Sequence, residues 1–282
     1  MPTIAEKIKA AEQVLHESGI VDPCREAKSL IAAALKRDAT FLIAHPEHVL
    51  EAADERIVDE FVTRRASHEP FQYISGIQEF FGLDFEVTPD VLIPRPETEM
   101  IVEHALEVLK ASRGGSVCDI GTGSGCIPIS ILHKLTSVRA CGLDISKNAL
   151  KVARSNAEKH NVSTRLALLE SDLFGALDEE KFDLIVSNPP YVPAEDIAGL
   201  QAEVRDFEPH IALTDRADGL SIIRRIVNEA PHFLARGGRL LMEIGFNQSI
   251  KVAEMFDADR WLEPELFPDL QGIPRLVSAR LR

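Results

Sequence analysis

The run Ser116-Val117-Cys118-Asp119-Ile120-Gly121-Thr122-Gly123-Ser124-Gly125 decides the fold of this 282-residue chain. Its first half reads as a short strand. Its second half is a loop in which every other residue is glycine, so the backbone can turn sharply and approach a ligand closely. A glycine-rich turn after a strand is shared by several nucleotide-binding designs, and the spacing separates them. The dinucleotide fingerprint places its third glycine three residues after the second. Here the interval is two, and an acidic residue, Asp119, stands two before the first glycine.

Working outward toward the C-terminus, strand and helix patterns alternate. Strands are expected at 138–144 (VRACGLD), 165–170 (RLALLE), 182–188 (FDLIVSN) and 237–245 (GGRLLMEIG). Helices are expected from the glycine loop to about Leu135, and over 146–160, 220–230 and 247–255. The segments 261–267 (WLEPELF) and 275–281 (RLVSARL) read as a closing antiparallel pair. Such alternation implies an α/β fold with a mainly parallel sheet covered on both faces, its ligands beyond the carboxyl ends of the strands.

Toward the N-terminus the pattern changes. Residues 1–69 are predicted to form a small helical bundle that docks a partner. Thr3 can cap a helix with Ile4, Ile8, Ala11 and Leu15 on one face, stopped by Gly19. Asp22-Pro23 is a cap followed by proline at the first helical position. A further helix is expected over 52–67 with Ile57, Val58, Phe61 and Val62 inward. Residues 70–90, with Phe71, Tyr73, Phe80, Phe81, Phe85 and Val87 around Gly76 and Gly82, read as a β-hairpin linker. Residues 91–282 form the remaining domain, entered through a proline-punctuated loop, TPDVLIPRPETE (88–99), and a helix over about 97–110.

The formal net charge is −14. Residues 1–75 hold nine Lys/Arg against thirteen Asp/Glu, and the remainder 22 against 32, so both parts are acidic. That balance argues against a surface gripping DNA phosphates. No run of about 18 apolar residues implies a membrane span, and the N-terminus lacks a signal-peptide core. Cys24, Cys118, Cys126 and Cys141 form no CxxC pair and have no histidines at ligand spacing. They read as free thiols of a cytoplasmic protein, with no metal site.

The glycine pattern with its leading aspartate resembles the S-adenosylmethionine loop of the seven-stranded methyltransferases, placing Gly121, Thr122, Gly123, Ser124 and Gly125 against that cofactor. Asp144 ends the next strand, where a carboxylate can accept hydrogen bonds from both ribose hydroxyls; Ser146 is better placed to cap the following helix. In that superfamily an acidic residue ending the third strand meets the adenine amino group beside an apolar residue, which singles out Asp172 and Leu173.

The sharpest chemical signal is Asn188-Pro189-Pro190-Tyr191, at the end of the fourth strand. An amide or aromatic amino nitrogen has a delocalised lone pair and is a poor nucleophile. The Asn188 side-chain oxygen can accept one of its N–H bonds and the Pro189 carbonyl the other. Neither proline offers a competing donor. The Tyr191 ring can stack on the planar target. Positioning, without a strong base, then does most of the work.

Together, DIGTGSG, GLD, SDLF, NPPY, LIPRPETE, EIG at 243–245 and DPCREAKSL at 22–30 resemble the protein-(glutamine) methyltransferase family that modifies peptide-chain release factors, the HemK/PrmC family. The resemblance spans essentially the whole chain. It implies a Rossmann-like, seven-stranded class I methyltransferase domain preceded by a helical docking domain. The implied cofactor is S-adenosyl-L-methionine, and the implied substrate is the glutamine amide in the GGQ loop of release factors. It also implies that Asn188, Pro189, Pro190 and Tyr191 hold that amide, that Asn188 borders the cofactor, and that Arg95, Glu97 and Thr98 line the cleft. A salt bridge fixing the loop is the other reading of Arg95 and Glu97. The competing functions are a methyltransferase acting on adenine or cytosine amino groups of nucleic acid, which shares the NPPY logic, and a non-catalytic binding module.

Overall fold

The computed structural model describes residues 1–111 and 115–282. These group into two compact units, Met1–Ile77 with Gln201–Phe207, and Gln78–Leu200 with Glu208–Arg282.

The first unit begins with α1 (Ile4–Glu17), α2 (Pro23–Leu35), α3 (Ala39–Ala44), α4 (Ala52–Ala66) and α5 (Phe71–Ser75). Thr3 and Glu6 form a reciprocal capping box at the start of α1, which satisfies two otherwise orphaned N–H groups. Two expectations fail locally. Asp22 sits at φ +51° and makes no side-chain cap; Pro23 still opens the helix. Ile57 is 39% exposed, whereas Val58 and Val62 are buried. The short α3 and α5 were not foreseen. α5 takes up residues that read as hairpin, so the hairpin is confined to β1 (Ile77–Phe80) and β2 (Leu83–Glu86).

In the second unit, the Phe80 and Phe85 rings of that hairpin meet edge-on at 6.1 Å. They share a core with α6 (Glu99–Ala111). There follow β3 (Gly115–Ile120), α7 (Cys126–Lys134), β4 (Val138–Asp144), α8 (Lys147–Lys159), β5 (Leu166–Glu170) and β6 (Phe182–Ser187). The chain next gives α9 (Ala202–Phe207) to the first unit. There the buried Arg65 guanidinium bridges Glu26 of α2 and Glu203 of α9, both at 2.7 Å, the pairing a buried charge requires. The second unit resumes with α10 (His210–Leu213), α11 (Ser221–Glu229), β7 (Leu234–Glu243), α12 (Ser249–Ala253), β8 (Glu265–Pro268) and β9 (Pro274–Arg280).

Seven strands make one sheet in the order β5-β4-β3-β6-β7-β9-β8. The pairings from β5 to β7 are parallel, and β9 runs antiparallel to both β7 and β8. Alternate residues of each central strand feed opposite cores, as a two-residue period dictates. Val117, Leu184 and Leu241 face the core shared with α6, α7 and α8. Cys118, Ile185, Leu240 and Met242 face the core shared with α11 and α12. Both faces of the parallel strands are thus covered. Strand order reverses between β4 and β6, on either side of β3, which opens a crevice at the carboxyl edge. No helix among the described residues is long and apolar enough to cross a membrane. All four cysteines are free, with Cys118, Cys126 and Cys141 buried and Cys24 half-buried.

Candidate active site

A cleft of about 480 Å³ opens there, walled by Gly121, Thr122, Gly123 and Ser124 after β3, Asp144 and Ile145 after β4, Asp172 and Leu173 after β5, and Asn188 and Pro190 after β6. Four loops scattered over 70 residues of sequence therefore meet in one place because parallel strands end on the same edge.

The glycine loop is shaped from both sides. Gly121, Gly123 and Gly125 all adopt positive φ, at +72°, +54° and +79°, a region that disfavours side chains. The N–H groups of Gly121 and Thr122 donate to the Leu143 carbonyl at 2.8 and 2.9 Å. The Gly123 N–H donates to Asp144 Oδ2 at 2.8 Å, while Asp144 Oδ1 accepts from the Ser146 N–H at 2.8 Å. Asp144 thus anchors the loop with one lone pair on each oxygen, and each oxygen keeps another for a ligand. Burial raises its pKa, opposed by these backbone donors. Ser146 caps α8 by accepting from the Ala149 N–H at 3.2 Å. Buried Asn156 of α8 donates to the carbonyls of Ser124 and Glu86 at 2.9 and 3.0 Å, bracing the loop from behind. Nothing in the sequence marked that asparagine.

Asp119 lies beneath the loop, fully buried. Among the described residues neither of its carboxylate oxygens meets a hydrogen-bond partner, nor do the Thr122 and Ser124 hydroxyls. Burial pushes the Asp119 pKa up to about 7; the nearby Thr122 hydroxyl pulls the other way without reaching bonding geometry. Orphaned buried polar atoms are rare in folded proteins. Here they cluster under a loop built for close backbone approach, which fits a polar, partly cationic ligand. The sequence showed Asp119 only as part of a motif.

Two apolar side chains frame the far end of the cleft. Leu173 takes an unusual φ of +49°, and Ile145 is left 52% exposed. Asp172 pairs with Arg225 at 3.0 Å, and both line the cleft. Ile145 and Arg225 were not singled out from sequence. An apolar residue directly after the acidic strand end was the available signal for Ile145.

At the other end, the NPPY segment is held by residues distant in sequence. Asn188 Nδ2 donates to Thr98 Oγ1 at 3.0 Å. Thr98 donates to Glu243 Oε2 at 2.7 Å, and the Tyr191 hydroxyl donates to Glu243 Oε1 at 3.0 Å. Burial raises the pKa of Glu243, opposed by those two donors. Burial and Glu243 together push the Tyr191 phenol upward. Gln248 donates to the Tyr191 carbonyl at 2.9 Å and accepts from the Gly245 N–H at 2.8 Å, tying this loop to the turn after β7.

Thr98 and Pro190 border the cleft, whereas Gly125, Pro189, Tyr191, Arg95 and Glu97 are not among its lining residues. Arg95 instead pairs with buried Glu208, which also accepts from the Ile93 N–H at 3.3 Å. Glu97 is exposed on the turn 96–98. For Arg95, the loop-fixing salt bridge is what the structure contains. Among the described residues no group of three or more His, Cys, Asp or Glu side chains gathers as a metal site.

Two family models match the chain, the PrmC N-terminal domain over residues 6–76 and the methyltransferase small domain over residues 98–203. A release factor glutamine methyltransferase of Geobacter sulfurreducens is 41% identical over 99% of this chain and 97% of its own length. One from Cereibacter sphaeroides is 41% identical over 98% of each. Among solved structures, a T. thermophilus 16S rRNA N2 G1207 methyltransferase in complex with AdoMet and guanosine superimposes with a TM-score of 0.53. It shares 19% identity over 73% of this chain and 50% of that one, a likeness of fold alone. With identity at this level extending over both units, this chain belongs to the release factor glutamine methyltransferase family.

Proposed function

We propose that this chain transfers a methyl group from S-adenosyl-L-methionine to the side-chain amide nitrogen of the glutamine in the GGQ loop of peptide-chain release factors. The observation that carries the reading is the state of Asn188. Its nitrogen is committed to Thr98, so its oxygen remains as an acceptor in the cleft that also holds the glycine loop.

The cofactor fits the residues present. Gly121, Thr122, Gly123, Ser124 and Asp144 line the cleft and supply acceptors and close backbone approach for its amino-acid and ribose parts, with the orphaned Asp119 carboxylate beneath them adding negative charge. Ile145 and Leu173 offer an apolar slot for a flat base, with Asp172 beside it. Bound there, S-adenosylmethionine supplies an electrophilic methyl on a sulfonium sulfur. The protein's part is to aim the nucleophile. Asn188 Oδ1, in the cleft lining, accepts one N–H of the glutamine amide, and the acceptor proposed for the other is the carbonyl of the adjacent Pro189, itself outside that lining, so that the pair orients the nitrogen lone pair and fixes the reaction distance. The amide would lose its proton to water as the methyl passes from sulfur to nitrogen; Glu243, the buried carboxylate bonded to this segment, is already occupied by Thr98 and Tyr191. Glycines flanking the target glutamine let its loop enter a narrow cleft without side-chain clashes.

Asp144→Ala should weaken S-adenosylmethionine binding roughly ten- to a hundredfold, since charge-assisted hydrogen bonds are worth about 1.5–3 kcal/mol. Isothermal calorimetry reads this directly, and unchanged affinity would place the ribose elsewhere. For the substrate, purified protein, radiolabelled S-adenosylmethionine and a release factor are incubated and the labelled residue is mapped by mass spectrometry. Label on the GGQ glutamine, lost when that glutamine is replaced, is expected. Label in DNA with the release factor untouched would reassign the chain to nucleic-acid amino methylation.

A further inference from the structure

We propose that Glu243, acting through Thr98, is a positioning residue that decides which end of the Asn188 amide faces the cleft. The inference rests on the glutamine-amide reading above and adds a device that sets the polarity of the acceptor.

An asparagine side chain is nearly symmetric in shape, so packing alone does not distinguish its oxygen from its nitrogen. Substrate recognition depends on that distinction, because the target amide presents N–H donors and needs an acceptor. The neighbours supply the direction. Glu243 is buried and accepts on both oxygens, from Thr98 at 2.7 Å and from Tyr191 at 3.0 Å. Thr98 has one hydroxyl proton, and Glu243 takes it. Toward Asn188, Thr98 can then only accept, which draws in the Asn188 nitrogen at 3.0 Å and leaves the oxygen outward. Each step follows from counting donors and acceptors.

The same count shows what reverses it. If Glu243 carries a proton on the oxygen facing Thr98, it donates to Thr98. The Thr98 proton then turns toward Asn188, which must offer its oxygen inward and its NH₂ to the cleft. Donors then face donors, and the substrate amide is refused. Burial and the exposed Glu97 favour protonation of Glu243. Arg275 of β9 and the hydroxyls of Thr98 and Tyr191 oppose it. Glu243→Gln imposes a neutral side chain permanently. Its nitrogen donates to Thr98 and inverts the relay, because the opposite orientation would leave the Tyr191 hydroxyl without an acceptor.

Positioning predicts a pattern that a merely structural role does not. Glu243→Gln and Thr98→Val should each lower kcat by about tenfold or more, with S-adenosylmethionine affinity by calorimetry within about twofold of wild type. Thr98→Ser, which restores the hydroxyl, should recover most of the loss seen in Thr98→Val. A substrate-free readout accompanies this. In protein labelled with ¹⁵N-asparagine, the Asn188 side-chain amide signals, assigned by their disappearance in Asn188→Asp, should shift as pH falls and Glu243 takes a proton. They should stay fixed in Glu243→Gln. Full kcat in both Glu243→Gln and Thr98→Val, or an Asn188 signal equally pH-dependent in wild type and Glu243→Gln, would overturn the proposal. If Glu243→Gln does not fold, the Thr98 pair decides. Failure of the wild-type protein to label the glutamine would defeat the functional reading, while the amide signals would still test the relay.

Discussion

Asn188→Ala is expected to lower kcat for release-factor methylation by about a hundred- to a thousandfold, the usual cost of removing one preorganised hydrogen-bonding partner from an enclosed site. The fold should survive. Asn188 is half-buried, and without it the Thr98 hydroxyl keeps its bond to Glu243. Cofactor affinity should change far less than kcat, because the glycine loop, Asp119 and Asp144 are untouched. Asn188→Asp makes the sharper comparison. Aspartate keeps an acceptor in the cleft, yet its inner oxygen would face a Thr98 oxygen whose proton is already given to Glu243. Two lone pairs would meet where a hydrogen bond had been, so Asp should rescue little. Rapid-quench turnover at saturating S-adenosylmethionine separates these effects from binding. Alanine within threefold of wild type would remove Asn188 from the chemistry.

The parts of this site that the sequence revealed are those carried by local runs. The strand-plus-glycine segment, the acidic strand ends and NPPY each lie within a few consecutive residues, and the parallel topology brings them together. The closing antiparallel pair was legible for the same reason, since β8 and β9 are short runs only a few residues apart in sequence. The rest depends on partners far apart in sequence. Thr98 and Glu243 are 145 positions apart and Arg95 and Glu208 are 113 apart, so no window over the chain could join them. Helices as short as α3, α5, α9 and α10 span too few turns to show a period. The membership of Gln201–Phe207 in the first unit rests in part on the Arg65–Glu203 bridge, a long-range contact of the same kind. Asp119 was visible as a letter of the motif, but its want of a partner is a property of packing alone.

In the cofactor-free protein, the stability of Asp119→Asn relative to wild type is expected to rise as the pH is raised from acid to alkaline. The unfolded chain releases the Asp119 proton near the ordinary 3.8, and the folded chain near 7. Between those values the folded state holds a proton that the unfolded state has lost, so wild-type stability falls as pH rises through the window and is level above it. Asparagine has no proton to lose. Its own cost of burial is the same at every pH and drops out of the comparison. Between pH 4.5 and 8 the stability difference should therefore move in favour of the variant by roughly 2–4 kcal/mol, at about 1.4 kcal/mol per tenfold change in proton affinity. Urea unfolding without cofactor at those two pH values measures it. The same variant should bind S-adenosylmethionine more weakly, because the buried carboxylate is a natural partner for a cationic group and the amide is not. A stability difference that does not change with pH would mean that Asp119 is not held as a strained, unpaired acid beneath the glycine loop.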